Sequence, residues 1–210
     1  MKNCLILNGK EIELSAEQVK EIEKAIGKKS DTKLKDVPVG EVFKIADYEF
    51  IVLEHSKDTT AVILKGLLHD RVQFGSNNNF NDSNVDVKCT EFASKIEKII
   101  GKRNLIEHTV DLTSDDGLKD YGKVKRYVSL LTTDRYRRYV EILDMYKIGQ
   151  WWWLATPYST PTHENDSWVK CVSPSCFIYY FSYFNYGGVR PFCVMNSNII
   201  VSHYEAVREI

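Results

Sequence analysis

Five cysteines (Cys4, Cys89, Cys171, Cys176 and Cys193) are the first residues in this chain that could do chemistry. A pair spaced C-x-x-C would suggest a zinc site or a redox couple, and no such pair occurs. Cys171 and Cys176 flank an expected turn and read as two small buried thiols. The five histidines (His55, His69, His108, His163 and His203) lack metal-ligand spacing. Glu164-Asn165-Asp166 is a small oxygen cluster, but calcium needs several oxygens converging from different places, and a polar triplet in a loop is ordinarily solvated. No G-x-S-x-G, Walker loop or dinucleotide fingerprint appears. The reading therefore expects no enzyme activity, no cofactor and no metal.

The unusual chemistry is aromatic. Residues 177–191 read FIYYFSYFNYGGVRP, and seven of the first ten are rings. Fourteen of the chain's twenty-five aromatics lie in residues 151–210. Successive strand side chains point to opposite faces, so some of these rings must leave the interior. If Val172 and Ile178 point inward, Phe177, Tyr179 and Phe181 point the other way. Tyr183, Phe184, Asn185 and Tyr186 then extend that patch, and Tyr158, Ser159, His163, Asn165 and Asp166 form its rim. Tyr and Phe offer large contact area for few rotatable bonds, and Tyr adds a hydroxyl. The expectation is a ligand-contacting face; the alternative is a cavity lining or subunit contact.

Trp152 and Trp153 read as framework, each indole N–H requiring a partner. Arg190 is expected in a buried charge pair with a carboxylate. Gly187 and Gly188 are expected to give a sharp entry to the following strand.

The elements that must position these residues follow from pattern. Cys4–Leu7 and Ile12/Leu14 flank Asn8-Gly9, a hairpin signal. Ser15 and Gln18 form a capping box for a short helix with Val19, Ile22 and Ile26 on one face, stopped by Gly27. Residues 28–36 are polar and read as a linker. Residues 1–33 are thus an N-terminal hairpin and short helix. That appendage either packs on its own domain or joins a partner, such as another virion or host protein. Residues 34–210 form the main domain. Strands are expected at 42–45, 49–54, 60–67, 105–112, 124–131, 168–172, 176–181, 189–195 and 199–202. A loop is expected at 75–90. Helices are expected over 91–100, with Phe92, Ile96, Ile99 and Ile100 inward, and from a cap at Thr133 to Tyr146, with Tyr136, Tyr139, Val140 and Leu143 inward. The class is α+β with mostly antiparallel strands.

Net charge is -1 and charged residues make up 27%. That leaves no broad positive field for nucleic acid. The apolar run near the start is too short for a signal peptide, and no window is long enough for a membrane span. The expected location is the cytoplasm or a virion.

The motifs together resemble a bacterial and phage domain family of unknown function carrying "WWLRSP", a hairpin and "GVRP". The matching residues are Trp152-Trp153-Leu154-Ala155-Thr156-Pro157, Val172 and Gly188-Val189-Arg190-Pro191. VGEVFKI…YEFIVLE at 39–54, NNNFNDS at 77–83 and LLTTDRYRRY at 130–139 also fit, so the resemblance spans about residues 34–200. Ala155 stands where the family has arginine, and Cys176 lies near its hairpin glycine. The resemblance implies a C-type-lectin-like fold, shared with the formylglycine-generating enzymes and with the variable proteins of diversity-generating retroelements. In the variable proteins the segment between the tryptophans and the Gly-Φ-Arg strand is the ligand-binding face. It is mutagenised at adenines, which turns asparagine codons into Tyr, Ser, Asp, His, Ile, Val, Phe or Cys. Residues 158–186 are rich in that set. The implied function is recognition of a protein or cell-surface ligand, possible as an oligomer, by such a variable protein. The alternatives are a fixed-sequence binding or structural module of a mobile element or virion, and a cysteine-dependent oxidase.

Overall fold

The run Phe50-Ile51-Val52-Leu53 is buried on both sides, so it forms a strand sandwiched between two apolar layers. The rest of the architecture is arranged around it. The computed structural model describes residues 4–7, 10–19, 21 and 28–205. In chain order the strands and helices are β1 (Cys4–Leu7), β2 (Lys10–Glu13), β3 (Lys28–Lys33), β4 (Val42–Ile45), β5 (Tyr48–His55), β6 (Thr59–Leu64) and β7 (His69–Gln73). Then come α1 (Asn84–Ile100), β8 (Leu105–Ile106), β9 (His108–Asp111), β10 (Lys123–Arg126), β11 (Val128–Ser129), α2 (Thr133–Arg138) and α3 (Val140–Met145). The last are β12 (Trp152–Pro157), β13 (Trp168–Val172), β14 (Ile178–Ser182), β15 (Tyr186–Val189), β16 (Phe192–Asn196) and β17 (Ile200–Glu205).

The fold is α+β with mostly antiparallel strands. An eight-stranded sheet runs β11-β16-β6-β5-β4-β17-β3, with β8 also on β16. A five-stranded sheet runs β14-β13-β12-β15-β7. β1 pairs with β2, and β9 with β10, as hairpins. The parallel contact between β12 and β15 joins Trp152 to Gly188. One core cluster includes Phe43, Phe50, Phe92, Ile96, Trp153 and Val169. A second, built on the alternate residues of β5, includes Ile51, Leu53, Tyr136, Leu143, Trp152 and Phe192.

Several expectations change. Residues 28–33 are not a linker: they form β3, paired over six residues with β17 and so part of the main sheet. Their polar sequence suits an edge strand. The loop expected at 75–90 ends at residue 83. There Ser83 Oγ accepts a hydrogen bond from Asp86 N at 3.2 Å and starts α1 seven residues early. Within α1, Phe92 and Ile96 are buried, whereas Ile99 is exposed. The second helix is capped by Thr132, not Thr133, and is interrupted at Tyr139. Val140 faces solvent. Arg135 lies inward, with its guanidinium 4.8 Å from the Phe192 ring centre.

The capping box forms as expected. Ser15 N donates to Gln18 Oε1 at 2.9 Å and Gln18 N donates to Ser15 Oγ at 3.2 Å. Asn8-Gly9, Ile22, Ile26 and Gly27 lie outside the described residues. Among the described residues no helix is long and apolar enough to cross a membrane.

Candidate functional site

The ring-rich segment sits on β13 and β14. Their register pairs Trp168 with Ser182, Lys170 with Tyr180 and Val172 with Ile178. Those six residues share one face of the sheet, and Val169, Cys171, Tyr179 and Phe181 share the other. On the first face Val172 and Ile178 join the second core cluster, as expected. Farther along it lie Trp168, Lys170 and Tyr180, joined by Tyr158. The Tyr158 and Tyr180 ring centres are 4.8 Å apart, and those of Trp168 and Tyr180 5.5 Å. On the second face Phe181 packs on Trp151 at 4.5 Å and edge-on against Trp153 at 6.3 Å. Tyr179 meets Trp151 at 5.7 Å.

The rings therefore do not form one patch on one face. Those of residues 177–181 surround β14, the outer strand of its sheet, whereas Phe184 lies in the turn after it and Tyr186 at the start of β15. The most exposed are Phe177 at 71%, Phe184 at 59%, Tyr186 at 56% and Tyr179 at 50%. Trp168, Tyr180 and Tyr158 are exposed to a smaller degree. Phe181 and Tyr183 are partly buried against the first core cluster. Trp168 and Tyr180 were not among the expected contact residues. The alternation of Trp168 with buried Val169 is the signal that marks Trp168.

The rim is held by a buried asparagine. Asn78 Nδ2 donates to Ser159 O at 2.9 Å and to Trp168 O at 3.0 Å. Its backbone N donates to Asp166 O at 2.8 Å, and its Oδ1 accepts from Tyr121 Oη at 2.6 Å. One fully buried side chain thus satisfies carbonyls at both ends of the 158–168 loop. The residue comes from the run Asn77-Asn78-Asn79, where type alone does not distinguish it from its neighbours. Neighbouring ties reinforce it: Phe74 N donates to Tyr183 O at 3.0 Å and Tyr183 N to Ser167 O at 2.9 Å.

The 111–120 segment supplies a second set of anchors. Ser159, expected at the ligand rim, is buried and its Oγ donates to Asp116 Oδ2 at 2.6 Å. His163 is exposed, with Nδ1 2.9 Å from the same oxygen, and Ser114 Oγ donates to Asp116 Oδ1. Burial works against ionisation of Asp116, but the hydrogen bonds from Ser114, Ser159 and His163 outweigh it. They hold the carboxyl well below the usual carboxylate range. A Ser-His-Asp nucleophile needs the imidazole between serine and carboxylate. Here serine and histidine both address the carboxylate, so the constellation fastens loops and does not activate Ser159. Asp120 Oδ2 accepts from Thr162 Oγ1 at 2.7 Å. Lys170, almost buried, places Nζ 3.0 Å from Asp115 Oδ2 and 5.5 Å from the Tyr158 ring centre. Asn165 and Asn185 stabilise turns: Asn165 Oδ1 accepts from Ser167 N at 3.3 Å and Asn185 N donates to Ser182 O at 2.9 Å.

The framework residues differ in detail from expectation. Trp153 Nε1 donates to Val72 O at 2.8 Å, giving the indole its partner. Arg190 is buried, and among the described residues no carboxylate pairs with it. Nε donates to Leu64 O at 2.9 Å, Nη2 to Lys65 O at 3.0 Å, and the guanidinium sits 5.3 Å from the Trp152 ring centre. Desolvation pulls its pKa down to about 10. Strand geometry explains the difference: β6 ends beside Arg190, and its free carbonyls replace the expected acid. Gly187 and Gly188 do not make a sharp turn. They lie in β15, where a Cβ at Gly187 would come within 2.9 Å of the Trp153 indole and one at Gly188 within 2.4 Å of the Leu67 side chain, so close packing accounts for the glycines.

Cys89, Cys171 and Cys193 are buried free thiols and Cys176 is partly exposed. Burial raises all four pKa values, that of Cys171 to about 12. Each is therefore protonated at neutral pH and a poor nucleophile. Among the described residues no group of three His, Cys, Asp or Glu is placed to hold a metal ion. No protein-family model, curated protein or solved structure matches this chain.

Proposed function

We propose that this chain is a ligand-recognition protein whose contact surface is the ring-bearing edge of the five-stranded sheet. One observation carries the reading: Phe177, Tyr179, Phe184 and Tyr186 are half or more exposed, yet they stand on β14, the turn after it and the start of β15, a segment tied down by the bonds of Tyr183 to Phe74 and Ser167. Exposed apolar clusters on a folded domain mark interaction sites. Rigid placement of rings lowers the entropy cost of contact.

The finer reading is a C-type-lectin-like fold serving as the variable protein of a diversity-generating retroelement in a phage or bacterium. Its support is the resemblance at Trp152–Pro157 and Gly188–Pro191, with the ring-rich segment between them. A second reading, a fixed-sequence binding module, is favoured by Ser159. That residue lies in the segment a retroelement would diversify, yet it is buried and bonded to Asp116.

Sequencing the DNA around the gene separates these two. A non-coding near-copy of codons 150–192, differing only at adenines and lying beside a reverse transcriptase gene, is expected under diversification. Its absence rejects that reading and leaves the fixed module. The recognition reading itself is tested on protein and glycan arrays with the quadruple variant Phe177→Ser, Tyr179→Ser, Phe184→Ser, Tyr186→Ser. Binding by the parent chain and at least tenfold weaker binding by the variant are expected. Undiminished binding by a folded variant rejects the surface.

A further inference from the structure

Several cations of this molecule have acceptors in place. Arg126, Arg137, Arg138 and Lys170 each reach a carboxylate, and Arg135 and Arg190 donate to backbone carbonyls. Arg71 differs. It is exposed on β7, and among the described residues no carboxylate or carbonyl meets its guanidinium. Even Asp70, its exposed neighbour in the chain, does not pair with it. What the guanidinium meets is a ring: it lies 5.5 Å from the centre of Tyr186. Tyr186 is itself more than half exposed, as is Phe184 two residues before it.

The strand explains this placement. Gly187 pairs with Val72 and Val189 with His69, so Asp70 and Arg71 together stand opposite Gly188. An extra residue of this kind is a bulge, which interrupts the alternation of side chains and re-aims one of them. β7 is an outer strand of its sheet, and a bulge carrying charges protects such an edge. Protection asks only for a charge in water. Laying the guanidinium over a ring does more. The ring's electrons attract the cation, while the planar fork keeps its N–H groups free at the rim. Held in this way, it loses less rotamer freedom when a partner arrives.

We infer that the ring-bearing surface takes another protein through a carboxylate: an Asp or Glu side chain of the partner pairs with Arg71, and an apolar side chain beside it packs on Phe184 and Tyr186. The inference rests on the recognition reading and names the chemistry of the partner. Residues 177–186 contain no charge, so the rings ask for apolar contact and Arg71 alone asks for an anion. The guanidinium fork matches a carboxylate with two parallel bonds. Aromatic residues and arginine are also the side chains that dominate binding energy at protein interfaces. Nucleic acid draws on many cations along its backbone, and here a single one stands free beside Asp70. An acidic sugar also carries a carboxylate, but its remaining hydroxyls need polar partners and Phe184 offers none.

The test pans the full chain against a displayed library of about twelve-residue random peptides, beside an array of neutral and acidic glycans. Enrichment of peptides with Asp or Glu close to an aromatic or leucine side chain is expected. For the strongest such peptide, exchanging its carboxylate for the amide should weaken binding at least tenfold. Arg71→Ala should do the same. On that variant the exchange should cost less than twofold, because the two groups act as a pair. Enriched peptides without an acid, or equal losses on parent and variant, overturn the pairing; recognition stands if binding is still lost in the quadruple ring variant. Capture of acidic glycans alone, lost in Arg71→Ala, overturns the protein partner and also leaves recognition standing. A concentration-dependent dimer dissolved by Arg71→Ala assigns the site to a second copy and overturns the inference. Failure of both arms to give ring-dependent binding removes the recognition reading as well. Should Arg71→Ala not fold, the exchange is read on Arg71→Lys, where it should cost less than on the parent.

Discussion

Tyr179 and Tyr180 are consecutive in β14, yet their rings lie parallel, 5.2 Å apart with planes 4° from each other. Strand neighbours point to opposite faces, so this geometry requires both rings to fold over the outer edge of the strand. The stacked pair covers an edge that has no charge to protect it. Ring pairs at such distances contribute about 0.5–1.5 kcal/mol beyond the area they bury. A double-mutant cycle with Tyr179→Ala and Tyr180→Ala, followed by urea denaturation, should give a coupling energy in that range. The double variant should also scatter more light at high concentration, because the strand edge is then uncovered. Additive effects and unchanged scattering would show that the stack does not matter.

Asn78 gives a sharper stability prediction. Replacing it with leucine removes two side-chain donors and one acceptor from a fully buried site. It leaves Ser159 O and the Tyr121 hydroxyl without that partner, while Trp168 O keeps the bond from Tyr158 N at 2.9 Å. A buried polar group left unsatisfied costs about 1–3 kcal/mol, so a loss of ~3 kcal/mol is expected. Hydrogen exchange should accelerate across 158–168 more than in β5. Uniform loss across both regions would mean that the loop is held by other contacts.

Gly187→Ala should be costly although alanine is a small residue. The added methyl group meets the Trp153 indole at 2.9 Å, and Trp153 is itself fixed by its bond to Val72 O. Overpacking of this kind costs about 1–3 kcal/mol, readable as a lower denaturant midpoint. Gly66→Ala is the control, since a Cβ there has no atom within 4 Å. Equal effects would discredit the close-approach argument.

The positions of many strands were legible because alternation survives in short runs. Trp168–Val172 falls where its pattern places it, and Val172 and Ile178 point inward. β3 and β7 were hidden by their charges, because an edge strand needs no apolar face. The start of α1 was hidden by Asn84, Asp86 and Lys88. Asp86 is buried there only because Arg126, forty residues on, grips both its oxygens at 2.8 and 2.6 Å. The aromatic character of the candidate site was plain from composition. Its division between two faces depends on register, and its anchoring by Asn78, Asp115 and Asp116 depends on contacts across the chain. No local pattern encodes either.

His108 gives a pH dependence of defined sign. Burial, with help from the Arg135 guanidinium and against a smaller opposing backbone contact, lowers its pKa to about 3. Between pH 6.5 and 3 the unfolded chain binds a proton that the folded chain refuses, so stability falls as pH drops through that window. At 1.36 kcal/mol per unit, two units of descent correspond to roughly 2.7 kcal/mol. The parent chain should therefore lose ~2.5 kcal/mol more than His108→Gln between pH 7 and pH 4.5, measured by urea denaturation. The measured range, pH 7 to 4.5, lies above the window of Asp111, whose pKa falls from 3.8 to about 2 and whose stabilisation is lost only at lower pH. Parallel curves for the two proteins would show that His108 is not the group responsible.

The place of β17 bears on how the chain acquires this structure. β17 lies between β4 and β3 and pairs with both, and its Ser202 hydroxyl reaches Asp31, 171 residues earlier. During synthesis β3 and β4 emerge first and wait for their common neighbour. Until residues 200–205 leave the ribosome, the eight-stranded sheet is interrupted at that point, and two strand edges stand open to wrong partners. Contacts this distant in sequence slow folding, since the chain between them must be closed into a loop first. Completion of the sheet therefore waits for the last of its strands. Chain shortened before residue 200 should be recovered as aggregate, with the ring-bearing surface never displayed on a finished domain.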